Sequence, residues 1–333
     1  MRPLLQPALV NEPFGDPGLF VDFLFERRAL LFDLGDIRAL PPRKLLRISD
    51  IFVSHCHMDH FIGFDWFLRI CLGRDRGVRL YGPPGFIDQV EAKLAAYTWN
   101  LVHRYENDFA LTVTEVAEDG AARRAHFHVH HAFRREAEVR IQIDAGLLLD
   151  EVGFRVRYAM LDHGTPCLAF AVEEKQHVNV WKNRLEEMGV SVGPWLKQLK
   201  HAALDGTPDT QVFTAPDGRR FTLGELKACC LRFVRGLKLA YVTDVVHNAA
   251  NAERIIDLAR DADLLFIESV FLDEHAERAA QKNHLTAGQA GRLARAAGAK
   301  QVVPFHFSPI YRERAAELES ELMRAFQTTS ASG

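Results

Sequence analysis

Three imidazoles and a carboxylate fall within six residues at His55-Cys56-His57-Met58-Asp59-His60, following the apolar run Ile51-Phe52-Val53. Such a run reads as a buried strand. Along an extended chain side chains alternate, so His55 and His57 point to one side, and the following turn can carry Asp59 and His60 toward a second ion. Imidazole nitrogens and a carboxylate oxygen suit zinc, and less exclusively manganese or iron. The chain must therefore fold so that this strand end faces one or two divalent ions.

One loop cannot supply every ligand of a two-ion site, so other donors are expected at distant strand ends. Leu161-Asp162-His163-Gly164 closes the run Phe154 to Met160, Tyr241-Val242-Thr243-Asp244 closes Leu237 to Ala240, and Pro304-Phe305-His306-Phe307 closes Lys300 to Val303. Each places a ligand-type side chain just past a hydrophobic strand, where loops can converge over the edge of a packed sheet. Singly, a histidine in such a place is more often a hydrogen-bonded structural residue. Together with the first loop these strand ends point to a metal centre.

The His-x-His-x-Asp-His loop, followed in order by His163, Asp244 and His306, resembles the metallo-beta-lactamase superfamily. Within it the chain is most similar to the ribonuclease Z family of tRNA 3′-processing endonucleases. Three strings carry that likeness: His163-Gly164-Thr165-Pro166, Asn283-His284-Leu285-Thr286-Ala287 and His306-Phe307-Ser308-Pro309-Ile310-Tyr311. It extends from about Phe20 to Tyr311. Two strings differ from the family pattern. The N-terminal Pro7 to Gly18 stretch carries acids where the family has a Gly-rich loop with a basic residue, and Thr243-Asp244-Val245 replaces Gly-Asp-Thr.

The resemblance implies an α/β fold, the αββα sandwich of the metallo-beta-lactamase type, with ligands collected at one edge between the sheets. It implies that His55, His57 and His163 hold one ion, that Asp59, His60 and His306 hold the other, and that Asp244 bridges them. Two divalent ions, zinc before manganese or iron, would share a hydroxide for in-line attack on phosphorus, with Asp59 orienting it or taking its proton. His284 would protonate the departing oxygen, with Glu268 as its orienting carboxylate. The implied activity is a binuclear phosphodiester hydrolase, an endoribonuclease. The alternative is hydrolysis of a carbon ester, lactone or thioester by the same ions. A homodimer is also implied by the family.

The stretch between His163 and Asp244 is far longer than a hairpin or a single crossover needs. It contains Trp181 to Gly189 and Val192-Gly193-Pro194-Trp195 to Lys200, which resemble the Gly-Pro-containing arm of the family that grips tRNA. On this reading residues 174–226 are an inserted arm, with Lys182, Arg184, Lys197 and Lys200 available to phosphates and Trp181 or Trp195 to stacking. An amphipathic helical hairpin covering the domain, or a dimer contact, is the competing reading.

With 333 residues, 48% of them hydrophobic, the chain can bury one large core, and no linker divides it. The expectation is a single hydrolase domain over residues 1–327, carrying the arm, and a flexible tail at 328–333. A net charge of −3 does not suggest a protein that coats nucleic acid, though a local basic arm can work on a neutral body. Five cysteines, an odd number in mostly apolar contexts, read as reduced residues of a cytoplasmic protein. No signal segment opens the chain and no apolar run is long enough to span a bilayer, so no membrane contact is expected. Paired strands are predicted at Phe20 to Phe25 and Ala29 to Phe32, and helices at Phe61 to Leu72, Phe86 to Trp99, Ala249 to Arg260, Thr286 to Ala297 and Arg312 to Phe326. His126, His128 and His130 alternate as on one strand face, which reads as a polar surface before it reads as a third metal site, and His247 reads as packing beside Asp244.

Overall fold

The computed structural model describes residues 4–328 apart from 25, 145 and 176. Of the tail expected at 328–333, all but Thr328 lies outside the described residues. The chain divides into two compact units. One holds the described residues up to Asp150, Arg155–Glu173 and those from Leu237 onward; the other holds Glu151–Phe154 and Glu174–Gly236.

The larger unit contains two sheets. The first has eight strands in sequential order: β1 (Leu5–Leu9), β2 (Leu19–Phe23), β3 (Ala29–Phe32), β4 (Ile48–Phe52), β5 (Arg76–Gly82), β6 (Phe109–Val116), β7 (Ala121–His128) and β8 (Val139–Gln142). β3 to β6 run parallel and the outer pairs antiparallel. The second sheet begins with β9 (Leu147–Asp150), β10 (Phe154–Asp162) and β11 (Pro166–Glu174). The chain then leaves it for β12 (His177–Val180), β13 (Val212–Thr214), β14 (Arg220–Thr222) and β15 (Leu231–Val234) of the smaller unit. It returns through β16 (Lys238–Val242), β17 (Leu264–Glu268) and β18 (Val302–Phe305) to complete the order β18-β17-β16-β11-β10-β9.

Strand alternation decides how the layers stack. In β3, β4 and β5 the registered residues Phe32, Phe52 and Tyr81 project to one face, and their rings stack at 4.9 Å and 4.9 Å. That face meets the second sheet, where Phe170 lies 5.5 Å from Phe32 and 5.7 Å from Phe52, and Tyr241 stands 6.0 Å from Phe32. The alternate residues Leu31, Ile51, Val53 and Leu80 point the other way, into a core closed by helices Phe64–Cys71 and Phe86–Ala95. Across the second sheet Ala240, Val242, Leu265 and Ile267 do the same toward helices Ala249–Leu258, Ala287–Ala296 and Ala315–Gln327. Strands buried on both faces explain the unbroken apolar runs of the sequence. The layering is helix, sheet, sheet, helix.

Several element ends differ from the sequence expectation, each for a local reason. The helix predicted over Phe61 to Leu72 is two helices, Met58–Phe61 and Phe64–Cys71, broken at Gly63. There Gly63 N donates to Leu34 O at 2.7 Å, and a Cβ on Gly63 would lie 2.2 Å from Gly35 O. The helix from Phe86 stops at Ala95 rather than Trp99, because the Trp99 indole turns back to donate to Leu94 O at 2.8 Å. The last helix begins with a tight turn over Pro309–Arg314 before Ala315–Gln327. The strand carrying the alternating histidines ends at His128, and His130 and His131 lie in the turn Val129–His131.

The smaller unit has its own core of Val178, Leu185, Val190, Leu199, Leu223, Leu226 and Cys230. β12 pairs with β15 and β13 with β14, so the insertion is a mixed unit and more than a helical hairpin. Helices Lys182–Glu187, Trp195–Leu204 and Leu223–Cys229 complete it. Arg219 donates to Met188 O and Gly189 O, both at 2.8 Å, which satisfies carbonyls left open where the first helix ends. Among the described residues no helix is long and apolar enough to cross a membrane.

The Gly63 approach yields a test. Gly63→Ala forces backbone apart between Gly63 and Gly35 next to the helix that carries Asp59 and His60. The expected loss of about 1–3 kcal/mol, the scale of overpacking a closed core, is read from the midpoint of a urea denaturation curve.

Candidate metal centre

Every residue singled out for metal from the sequence sits just past a strand of the two facing sheets. His55 follows β4, His163 follows β10, Asp244 follows β16 and His306 follows β18. The C-terminal edge of parallel strands is where loops free of the ladder can converge. His57 precedes the short helix Met58–Phe61, whose first turn presents Asp59 and His60.

The structure brings these side chains into two adjoining groups. Single donor atoms of His55, His57, His163 and Asp244 all lie within 4.8 Å of one another, as do those of Asp59, His60 and His306. Asp244 stands between the groups. Its Oδ2 is 3.4 Å from His60 Nε2, 3.4 Å from His163 Nε2 and 3.7 Å from His55 Nε2, while Oδ1 is 2.8 Å from His306 Nδ1. The first of these pairs and the last lack the alignment of a hydrogen bond. His55 Nε2, His60 Nε2 and His306 Nδ1 are buried with no hydrogen-bond partner, although such atoms are rarely left unsatisfied. Buried, converging, unpartnered imidazole nitrogens with a carboxylate among them fit a pair of divalent ions.

The reason these nitrogens face inward lies behind the rings, in residues the sequence reading passed over. Asp33, fully buried at the end of β3 with φ 59°, accepts from Ser54 N at 2.7 Å, Ser54 Oγ at 3.0 Å, His60 Nδ1 at 3.0 Å and Tyr241 Oη at 2.9 Å. Ser54 Oγ in turn lies 3.1 Å from His55 Nδ1. One serine and one aspartate therefore hold the Nδ1 side of both His55 and His60 and turn each Nε2 toward Asp244. Asn283 plays the same part for His163, whose Nδ1 donates to the Asn283 carbonyl at 2.8 Å. Asp33 closes an apolar strand and Tyr241 and Asn283 open strings noted above for their neighbours, but no pattern in the sequence marks their place behind the rings, and Ser54 has no signal at all.

Electrostatics follow from this crowding. Burial, reinforced by His60, pushes His55 down to about 2, so it stays neutral. Burial also opposes charge on His60, but Asp244 and Asp33 outweigh it and raise that imidazole well above its ordinary value. His306 is raised to about 10 in the same way, against burial, by Asp244 and Asp59. Asp244 is held well below the carboxylate range because His306 and His60 overcome its desolvation. His306 also has φ 60°, a left-handed conformation costing about 1–2 kcal/mol for a residue with a Cβ.

Beside both groups, His284 Nδ1 lies 2.9 Å from Glu268 Oε2. Its ring is 5.0 Å from that of His163 and 5.7 Å from that of His306. Glu268 is fully buried, and its Oε1 accepts from Val245 N at 2.8 Å and Leu285 N at 3.3 Å, so its position is fixed by backbone. The N-terminal loop that departs from the family pattern is bolted to the same edge. Phe307 N donates to Pro13 O at 2.7 Å, Phe14 meets Phe307 edge-on at 5.4 Å, and Asp16 accepts from Asp36 N at 3.0 Å.

Comparison with known proteins agrees with this geometry. The profile of the Beta-lactamase superfamily domain matches residues 212–307, a span that includes Asp244, Glu268, His284 and His306. A ribonuclease Z of Deinococcus radiodurans is 31% identical over 315 residues, covering 93% of this chain and 92% of that protein. The chain belongs to the ribonuclease Z family. A ribonuclease Z of Synechocystis is 30% identical over 80% of this chain and 69% of that one. Among solved structures, the metallo-beta-lactamase fold protein YhfI of Bacillus subtilis superposes with a TM-score of 0.57 at 14% identity, covering 98% and 94% of the two chains. The short form of human tRNase Z gives 0.50 at 18% identity over 92% and 91%. The fold is thus that of the metallo-beta-lactamases, and the family makes the chain a metal-dependent hydrolase.

Asp33 is the residue to test. Asp33→Asn sets an amide N–H against a donor in either orientation, since both carboxylate oxygens only accept. Zinc affinity, measured by competition with a chromophoric chelator, is expected to fall about 10–100-fold while circular dichroism stays native.

Proposed function

We propose that this ribonuclease Z family member cuts a phosphodiester of a structured RNA, a precursor tRNA, at the two-group centre. The observation that carries the reading is His284 on its buried Glu268, standing beside both ligand groups. Family membership weighs against the carbon ester, lactone or thioester alternative.

In this reading His55, His57 and His163 hold one ion, Asp59, His60 and His306 the other, and Asp244 is shared. Bound divalent ions, of which zinc suits the donors best and manganese or iron less exclusively, supply charge neutralisation on the phosphoryl oxygens and activate water. The chain's own residues handle protons at either side of phosphorus. Asp59, whose Oδ2 lies 3.2 Å from His306 Nε2, would orient the attacking water or take its proton. His284 is raised despite burial, because Glu268 stabilises the imidazolium, so a proton is ready for the leaving oxygen.

The unit around 174–226 is the proposed RNA arm. Trp181 is 53% exposed with the Arg184 guanidinium 5.1 Å over its ring, and Lys182 and Lys197 are exposed, which supports stacking and phosphate contacts there. Trp195 is the weaker candidate, as its indole donates to Ser191 O and it packs on the unit's core. A homodimer and a cytoplasmic setting belong to the same proposal. The first rests on family likeness and the second on five cysteines free of disulfides.

Two measurements test it. His284→Ala is expected to slow a substrate with an alkoxide leaving group by about 10²–10⁴-fold and a p-nitrophenyl phosphodiester far less, with metal content unchanged; equal slowing of both removes the proton-donor role. For the arm, Val180 pairs with Leu231, so residues 181–230 can be replaced by a two-residue Asn-Gly turn. KM for precursor tRNA should rise while kcat/KM for the small phosphodiester holds. Loss on both substrates would make the unit a support for the fold.

A further inference from the structure

Thr243-Asp244-Val245, one of the two strings that depart from the family pattern, carries a hydroxyl directly before the aspartate that stands between the ligand groups. Nothing in the centre described above uses that hydroxyl. Thr243 follows β16, which lies inside the second sheet between β11 and β17, so the ladder fixes the backbone that leads into it. Alternation sends its side chain to the side of Tyr241, toward the first sheet, whereas Val242 faces the helices. Thr243 and Asp244 are 1% and 2% exposed. A hydroxyl buried this far needs a partner.

Two acceptors are within its reach. Thr243 Oγ1 lies 3.1 Å from Asp244 Oδ1, and it also meets the Tyr241 hydroxyl, whose own proton goes to Asp33 Oδ2 at 2.9 Å. A hydroxyl has one proton to give, and an ionised carboxylate is a stronger acceptor than a neutral phenol, so Asp244 receives it. Branching at the threonine Cβ restricts χ1 and keeps the donor in place. The two oxygens of Asp244 are thereby made unequal. Oδ1, held by Thr243, lies 2.8 Å from His306 Nδ1, while Oδ2 faces His163 and His55 of one group at 3.4 and 3.7 Å and His60 of the other at 3.4 Å.

We propose that Thr243 is a positioning residue for the shared carboxylate: its hydroxyl anchors Asp244 Oδ1 and so keeps Oδ2 turned to both ligand groups, which lets the centre hold two ions at once. The terminal torsion of an aspartate is soft, and a carboxylate free to turn can give both oxygens to one ion. Hydrogen bonds to a ligating carboxylate are worth about 10–100-fold in metal affinity. The inference rests on the two-group reading of the centre and names what fixes the residue that both groups share.

The test uses full-length protein stripped of metal and titrated with zinc alone against a chromophoric chelator, with bound zinc counted by elemental analysis. Wild type is expected to bind two equivalents. Thr243→Val keeps the branched shape and removes the donor, so it should take its first zinc as wild type does and its second about tenfold or more weakly. Thr243→Ser, which keeps the hydroxyl, should recover the second. Wild-type affinity for both ions in Thr243→Val overturns the proposal and leaves the metal centre standing, whereas a wild type that takes up no zinc overturns both. Weakening of both ions that serine does not restore makes Thr243 a packing residue and also overturns it. Should Thr243→Val fail to fold, Thr243→Ala against Thr243→Ser decides: equal zinc binding overturns the proposal, and a weaker second event in the alanine variant supports it.

Discussion

A single buried carboxylate organises the centre. Asp33 closes β3 of the first sheet, accepts from Tyr241 of the second, and through Ser54 and His60 sets the orientation of two ligand imidazoles. The same contact therefore ties sheet to sheet and ties both to the candidate metal ligands. A carboxylate buried this completely needs its lone pairs met by donors, and four donors meet these. Aromatic stacking of Phe32, Phe52 and Tyr81 against Phe170 and Tyr241 supplies the dry surroundings in which those bonds are strong.

What Asp33 prepares, the ligands leave unfinished. Asp244 sits among four imidazoles, and two of these, His60 and His306, hold on to protons because of it. Protons and divalent cations compete for the same nitrogens, so binding of ions releases protons and repays the desolvation of Asp244 at once. The left-handed backbone of His306 and the converging orphan nitrogens are local costs that a bound cation would help offset.

Glu268 repeats the arrangement on the leaving-group side. Its carboxylate, at the end of β17, is immobilised by the loop amides of Val245 and Leu285 and then holds His284, so the candidate proton donor is placed by a strand end and two backbone amides. A rigid sheet edge can hold such a group to the tolerance that proton transfer needs.

Read alone, the sequence determined the layered fold and singled out the candidate ligands, because both are written in local patterns. A dense His-x-His-x-Asp-His loop after an apolar strand needs no distant information, and doubly buried strands announce themselves as unbroken apolar runs. His163, Asp244, His306, His284 and Glu268 were legible through short strings at strand ends. The sheet register that sets Asp33 against Ser54 and Tyr241, and Asn283 against His163, joins residues too far apart in sequence for any period or spacing to connect. Breaking the ligand helix at Gly63 was likewise a tertiary decision, since the backbone of Gly35 occupies the space a side chain would take.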